Sequence, residues 1–282
     1  MRILLLGAGG MLGRSLARAA SPAIDLVSRA REAVDITDAA ALEAAVGGVH
    51  PDVIVNAAAF TAVDDAERQQ ALAQRVNATA VGTLGRIARA AGCRVVHFST
   101  DCVFDGAGGA PYAENAACHP VNAYGMSKLA GERALTESGC EALIIRSQWL
   151  FGPGGRSFAS RMWERARAGL ATRVVTDQRG RPTSTIDLAN ATWRLVELGE
   201  RGLLHVTNAG EATRFEQAEA IFTHAGRSDL LTPCATGEYP AAATRPPDSR
   251  LDTHRAEAIL GGPLPDWRLA LEQFLAVHGE QA

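Results

Sequence analysis

The sequence predicts an α/β protein built on a doubly wound parallel sheet with a smaller C-terminal lobe. Three observations carry this. A short apolar run at the start of the chain meets a glycine-rich turn and then a helical pattern; strand-like runs alternate with helical stretches up to about residue 150; and the pattern then loosens into glycine- and proline-bearing loops. Strands that alternate with helices at this spacing pair in parallel, and the helices cover both faces of the sheet.

Residues 2–6 are the first strand, followed by the turn Gly7-Ala8-Gly9-Gly10-Met11-Leu12-Gly13 and a helix through Ala20. Further strands are expected at 24–28, 52–56, 94–99 and 141–146, with helices at 38–46, 64–91 and 124–138. Helical patterns resume at 158–169, 186–198, 214–225 and 266–277, and the Ala-, Thr- and Pro-rich stretch 233–247 reads as a loop. Residues 1–150 are therefore expected to form a dinucleotide-binding domain that borrows later sheet elements from about 170–210. Residues 151–282 are expected to form a substrate lobe interleaved with it.

Of 282 residues, 47% are hydrophobic and 21% charged, enough for a sizeable core. The net charge of −3 and pI near 6.2 leave no footprint for nucleic acid or an anionic membrane surface. The apolar opening is too short for a signal-peptide core and no later run is long enough to span a bilayer, so a cytoplasmic protein is expected. Five scattered cysteines without a C-x-x-C pair suit reduced thiols. The seven histidines show no metal-ligand spacing and are expected to be structural or exposed.

Gly7, Gly10 and Gly13 fall where the chain turns sharply from strand to helix. Glycine there lets the backbone approach a pyrophosphate, and the helix start offers free N–H groups to it, which is the Rossmann-type arrangement. The second strand ends without the carboxylate that would bind an NAD ribose. Ser28, Arg29 and Arg31 stand there instead, chemistry that suits the 2′-phosphate of NADPH, with NADH as the lesser cofactor. Asp35 and Ile36 are expected on the next short strand, covering the adenine edge. Asn56-Ala57-Ala58-Ala59 closes the following strand with small side chains that leave room for a cofactor, and Phe60-Thr61-Ala62-Val63-Asp64 follows where a loop faces nicotinamide and substrate.

Lys128 is the only lysine against 27 arginines, and it stands four residues after Tyr124. Thr100 ends the preceding strand. A hydroxyl, a phenol and an ammonium are a working set for carbonyl reduction: Thr100 polarises the carbonyl, Tyr124 protonates the developing alkoxide, and Lys128 holds the nicotinamide ribose while drawing the phenol pKa down. The hydride comes from the cofactor.

At these motifs the chain resembles the extended short-chain dehydrogenase/reductases, and within them the dTDP-4-dehydrorhamnose reductase family. The likeness runs through 56–64, Ser99-Thr100-Asp101 with Val103-Phe104-Asp105-Gly106, and Tyr124-Gly125 with Ser127-Lys128-Leu129-Ala130-Gly131-Glu132. It continues through Arg146, Trp149, Asp177-Gln178, Gly180, Pro182-Thr183, Arg245-Pro246, Ser249 and Leu251. The resemblance implies an NADPH-dependent reduction of the 4-keto group of a dTDP-4-keto-6-deoxyhexose. It makes Tyr124 the acid and Lys128 the partner of cofactor and phenol. Thr61, Val63, Thr100, Asp101, Tyr124, Trp149 and Arg245 would bound the sugar. Gly7, Gly10, Met11, Leu12, Gly13, Ala57, Ala58, Ala59 and Thr61 would bound the cofactor, with Ser28, Arg29, Asp35 and Ile36 at its adenosine end. Trp149 also has a physical rationale, an apolar indole face for a deoxysugar.

Two departures stand out: Cys102 replaces the family's usual tyrosine, and Ser147-Gln148 replaces its Thr-Ser. Ser15 and Ile186 stand where some members carry magnesium-binding glutamates, so no metal and a monomer or weak homodimer are expected. A nucleotide-sugar 4,6-dehydratase or epimerase shares the fold and the Tyr/Lys pair, but usually follows the threonine with an acidic pair; here Cys102 follows Asp101. A regulatory subunit resembling the beta subunit of methionine adenosyltransferase has no chemical need for Thr100, Tyr124 and Lys128 together.

Overall fold

Ile3, Leu4, Leu5 and Leu6 are fully buried, and a strand that is apolar on both sides belongs in the middle of a covered sheet. In the computed structural model, which describes residues 1–109 and 111–280, this strand, β1 (Arg2–Leu6), lies between β2 (Asp25–Arg29) and β3 (Val53–Asn56). Next to β3 come β4 (Arg94–Thr100) and β5 (Ala142–Ser147). Their hydrogen-bonded neighbours are all parallel, and Gly202–His205 closes the far edge against β5. The molecule is thus a Rossmann-type α/β protein, with the strand order reversing between β1 and β3, where a ligand crevice opens.

Period-two alternation divides the core. Ile3 and Leu5 pack with Val53, Val55, Phe98 and Ile145 on one face, under α1 (Met11–Ala19) and the helix Thr185–Glu197. Leu4 and Leu6 pack with Ile54, Val95 and Ile144 on the other face, under α2 (Ala39–Val49) and the helix that begins at Ala80. A separate cluster around Phe151, Met162, Phe222, Trp267 and Phe274 forms the core of the C-terminal elements. The domain expectation ran to residue 282; its last two residues lie outside the described ones. Among the described residues, no helix is long and apolar enough to cross a membrane.

Two expectations are corrected. Asp35 and Ile36 are not on a strand. The Asp35 carboxylate accepts the N–H and hydroxyl of Thr37 (2.9 and 2.8 Å), a side-chain turn that competes with a ladder, and Ile36 is buried against α2 in the core. The single helix expected over 64–91 is four pieces: α3 (Val63–Arg68), α4 (Gln70–Gln74), a π-helical turn Arg75–Thr79, and α5 (Ala80–Ala91). Gln69 leaves helical geometry at φ −119°, ψ 42°, and the π turn presents Asn77 to the crevice. The stretch 233–247 is mostly loop, although Leu231–Cys234 pairs with Thr172–Val175.

Helix α6 (Ala123–Glu137) carries the tyrosine and the lysine. Gly131 lets it approach the π turn, since a Cβ there would lie 2.0 Å from the Asn77 carbonyl oxygen. Its other tie is a buried ion pair: Arg146 of β5 donates to both Glu132 oxygens, Nε at 2.9 Å and Nη2 at 2.6 Å. Glu132→Gln leaves a guanidinium buried without its counter-charge and is expected to cost about 3–5 kcal/mol. A fall in the urea midpoint at unchanged slope checks this.

Candidate active site

The glycine turn separates into packing glycines and one open position. Gly7 has φ +74°, and a Cβ on it would sit 2.5 Å from Ala58 N; one on Gly13 would sit 2.2 Å from the Gly7 carbonyl oxygen. On Gly10 a Cβ would meet only that oxygen, at 3.4 Å. Gly10 is also the N-cap of α1, and no side chain caps that helix start. The turn therefore offers an exposed, uncapped set of N–H groups beside Ala57 and Ala58, a cradle that fits a dinucleotide pyrophosphate. Met11 lies on the rim against Gly155, while Leu12 is buried in the core. Ser28 is exposed and Arg29 half-buried at the end of β2; Arg31 forms an exposed ion pair with Asp35 (3.3 Å).

Thr100 ends β4 buried, its hydroxyl donating to Asp101 Oδ1 (3.0 Å) and accepting from Cys102 N–H (3.2 Å). Asp101 is buried too. Ser249 donates to its Oδ2 at 2.5 Å and Gln148 at 3.3 Å, while burial raises its pKa against the hydrogen bonds from Ser249 and Thr100. Gln148 also donates to the Ser249 carbonyl (3.2 Å) and accepts from Leu251 N–H (3.1 Å), so the residue that departs from the family pattern fastens segment 249–251 to the crevice.

Tyr124 stands in the first turn of α6, which Asn122 caps by accepting from Gly125 N–H (2.7 Å). Its ring packs with Phe60, Ala66, Ala73 and Ala123. Burial pushes the phenol pKa well above its ordinary value, Cys102 and Asp101 add to this, and Thr100 opposes it. The sequence led us to expect the reverse, a phenol drawn down by Lys128. Lys128 turns elsewhere: 1% exposed, its Nζ donates to the Phe98 carbonyl (2.6 Å) and lies 3.2 Å from His97 Nε2. Burial lowers the lysine pKa to about 8. Tyr124 is thus neutral in the ligand-free chain, the form a proton donor requires.

Trp149 has φ +51°, a strained conformation for a bulky residue, and is half-buried. Gly180 permits it, because a Cβ there would lie 2.5 Å from the indole. The Arg214 guanidinium sits 3.6 Å above the ring centroid and 4.8 Å from that of Phe158. Arg245 donates to both Asp64 oxygens (3.1 and 2.7 Å) and to the Ala243 carbonyl (2.8 Å), so its guanidinium ties the 243–245 loop to α3. Thr61 is exposed and Val63 half-buried at the start of α3.

The structure gathers Gly7–Gly13, Ala57–Ala59, Thr100, Asp101, Tyr124 and Trp149 at the C-terminal ends of the strands; Asp35 and Ile36 follow β2 outside any strand, with Ile36 in the same core cluster as Leu6. Sequence reasoning missed several residues. Asn77 accepts from Phe60 N–H (2.8 Å) and donates to its carbonyl (2.9 Å) and to Ser127 Oγ (3.0 Å), which sets the loop before Thr61. His97 and Arg214 were also missed. A π turn inside a helical pattern leaves no spacing signal, although polar His97 between apolar Val96 and Phe98 was one.

Comparison with known proteins agrees with this geometry. The family model described as RmlD substrate binding domain matches residues 1–279. The chain is 35% identical over 290 residues to a dTDP-4-dehydrorhamnose reductase of Escherichia coli (strain K12), covering 98% of this chain and 97% of that one. It is 40% identical over 285 residues to a probable dTDP-4,6-dihydroxy-2-methyloxan-3-one 4-ketoreductase of Streptomyces antibioticus, covering 97% and 94%. A crystal structure of dTDP-4-dehydrorhamnose reductase from Bacillus anthracis in complex with NADP superimposes with a TM-score of 0.94 at 32% identity, covering 98% of this chain and 99% of that one. With that breadth of match, and with the open glycine turn, Thr100 and Tyr124 around one crevice, the chain belongs to the dTDP-4-dehydrorhamnose reductase family.

Proposed function

We propose that the chain reduces the 4-keto group of a dTDP-4-keto-6-deoxyhexose, dTDP-4-dehydro-L-rhamnose or a close relative, with NADPH as reductant. The observation that carries this reading is a neutral, half-buried Tyr124 beside Thr100, at the strand ends that also hold the open glycine turn. Bound NADPH supplies the hydride. Gly10, Met11 and the first N–H groups of α1 hold its pyrophosphate, Ala57–Ala59 and Thr61 line its nicotinamide side, and Lys128 reaches its ribose.

Thr100 turns its hydroxyl from Asp101 to the substrate carbonyl and polarises it. Tyr124 hands its phenolic proton to the oxygen as negative charge develops there. Asp101, held by Ser249 and Gln148, is fixed in place to bind a sugar hydroxyl, and Trp149 offers its apolar face to the sugar methyl. Residues 1–150 with Gly202–His205 act as the cofactor domain, and the later elements close the substrate side. The protein works in the cytoplasm as a monomer or weak homodimer.

Against a dehydratase or epimerase stands Cys102 directly after Asp101: burial pushes this thiol up to about 12, so it provides no acid–base group near neutral pH. Against a purely regulatory subunit stands the complete Thr100, Tyr124 and Lys128 set. The test is to generate dTDP-4-keto-L-rhamnose in situ, add protein with NADPH or NADH, and follow cofactor oxidation and the product by NMR. A stereochemically defined dTDP-6-deoxyhexose is expected; no oxidation of either cofactor would reject the reading. With Ser28, Arg29 and Arg31 near the adenosine ribose, KM for NADH should exceed that for NADPH by about tenfold, roughly one charge-assisted hydrogen bond. Equal constants would remove those residues from cofactor selection.

A further inference from the structure

Behind Lys128 lies a chain of four hydrogen-bonding groups that the reaction does not use directly. Asn56 at the end of β3 and His97 on β4 are cross-strand neighbours, each 1% exposed. Asn56 Oδ1 lies 3.1 Å from Ala58 N, Asn56 Nδ2 3.2 Å from His97 Nδ1, and His97 Nε2 3.2 Å from Lys128 Nζ; Nζ in turn lies 2.6 Å from the Phe98 carbonyl oxygen.

The direction of each bond follows from its end points. A backbone N–H only donates, so Asn56 Oδ1 faces Ala58 and the Asn56 amide N–H groups face His97. His97 Nδ1 must then present a lone pair. Burial, and after it the charge of Lys128, hold the imidazole pKa well below its ordinary value, so the ring is neutral and its single proton sits on Nε2, aimed at Lys128. An amine accepts that bond and donates to the Phe98 carbonyl, which satisfies every group. An ammonium has no lone pair and sets donor against donor. Moving the ring proton to Nδ1 only shifts the conflict to Asn56.

We propose that Asn56 and His97 form a positioning relay that opposes the ammonium form of Lys128 in the free protein, so that NADPH binding is accompanied by uptake of a proton from solvent at Lys128 Nζ. The inference rests on the reading above, in which Lys128 reaches the cofactor ribose: two hydroxyls there supply the acceptors that the relay withholds, and the new N–H bond completes the ammonium.

Other charges do not account for the effect. Glu132, one turn along α6, favours the ammonium, yet Arg146 of β5 engages it. Asp101 after β4 is engaged by Thr100, Ser249 and Gln148, and Glu67 of α3 accepts from Ala123 N–H (2.8 Å). Tyr124 on α6 is neutral, and the π turn contributes uncharged Asn77. The sign is fixed: a lysine depressed to about 8 in the free chain and restored toward its ordinary 10.5 on binding takes up a proton between those values.

Calorimetric titration of the protein with NADPH in buffers of different ionisation enthalpy counts that proton. Uptake near one per chain is expected around pH 9, falling to about a tenth at pH 7. In Asn56→Asp the carboxylate accepts from both Ala58 N–H and His97 Nδ1–H, which frees Nε2 for an ammonium, so uptake should fall well below the wild-type value while NADPH still binds. Binding without uptake in the wild type, or undiminished uptake in Asn56→Asp, would overturn the relay. Should that variant not fold, the nitrogen-15 spectrum of wild-type His97, assigned through His97→Gln, decides: a proton on Nε2 supports the relay and one on Nδ1 overturns it. Absence of NADPH binding would instead reject the parent reading, and the tautomer would still decide the relay.

Discussion

Tyr124→Phe is expected to lower kcat by about 10²–10⁴-fold with little change in the dissociation constant for NADPH. The phenylalanine keeps the ring among Phe60, Ala66, Ala73 and Ala123, so the fold and the helix start that Asn122 caps should be undisturbed. Only the O–H is lost. Two of its neighbours are poor replacements as acid: Cys102 is held protonated up to about 12, and Thr100 is a still weaker acid than the phenol. The distinguishing measurement is the pair of constants, because an unfolded or misdocked variant would lose cofactor affinity as well. Turnover within a few-fold of wild type would assign the proton to another donor. A phenol raised by burial also implies that kcat does not fall through loss of this proton at mildly alkaline pH; an alkaline fall belongs instead to kcat/KM for NADPH, through Lys128, whose free-state value is near 8.

What the sequence disclosed depends on how local the physics is. The four buried residues of β1 and the glycine turn after it are read from adjacent residues, because strand burial and a φ of +74° at Gly7 are decided within a few positions. The strand ends that carry Thr100 and Trp149 were legible for the same reason. Asp35-Ile36 was misread because a side-chain turn to Thr37 competes with a ladder, and the residue types alone do not say which prevails. The break at Gln69 and the π turn at Asn77 have no glycine or proline to mark them; they serve a contact with Phe60, 17 residues earlier. Arg214 reaches Trp149 from 65 positions along the chain, and no spacing rule connects the two. The phenol was expected to feel its helical neighbour Lys128, yet side chains four residues apart can diverge, and the ammonium stem runs into the sheet toward Phe98.

That divergence sharpens the second prediction. Lys128→Arg retains a cation in a chain that already uses arginine at 27 of its 28 basic lysine and arginine positions, so charge alone would make it tolerable. The pocket makes it intolerable. Lys128 is buried to 1% with one carbonyl acceptor, Phe98 O, and one imidazole nitrogen within reach, whereas a guanidinium brings five donors in a fixed plane and more volume. Overpacking costs about 1–3 kcal/mol, and each buried N–H left without an acceptor adds roughly 1–3 kcal/mol more. We therefore expect a lowered unfolding midpoint, a raised KM for NADPH, and kcat reduced by about 10²-fold or more, since the head group can no longer reach both ribose hydroxyls from the path the lysine takes. A guanidinium stays protonated across the working range, so the alkaline fall in kcat/KM for NADPH assigned to Lys128 should disappear from whatever activity remains. Wild-type turnover with that alkaline limb intact would mean that neither ribose geometry nor the protonation of this side chain explains why lysine is kept at position 128.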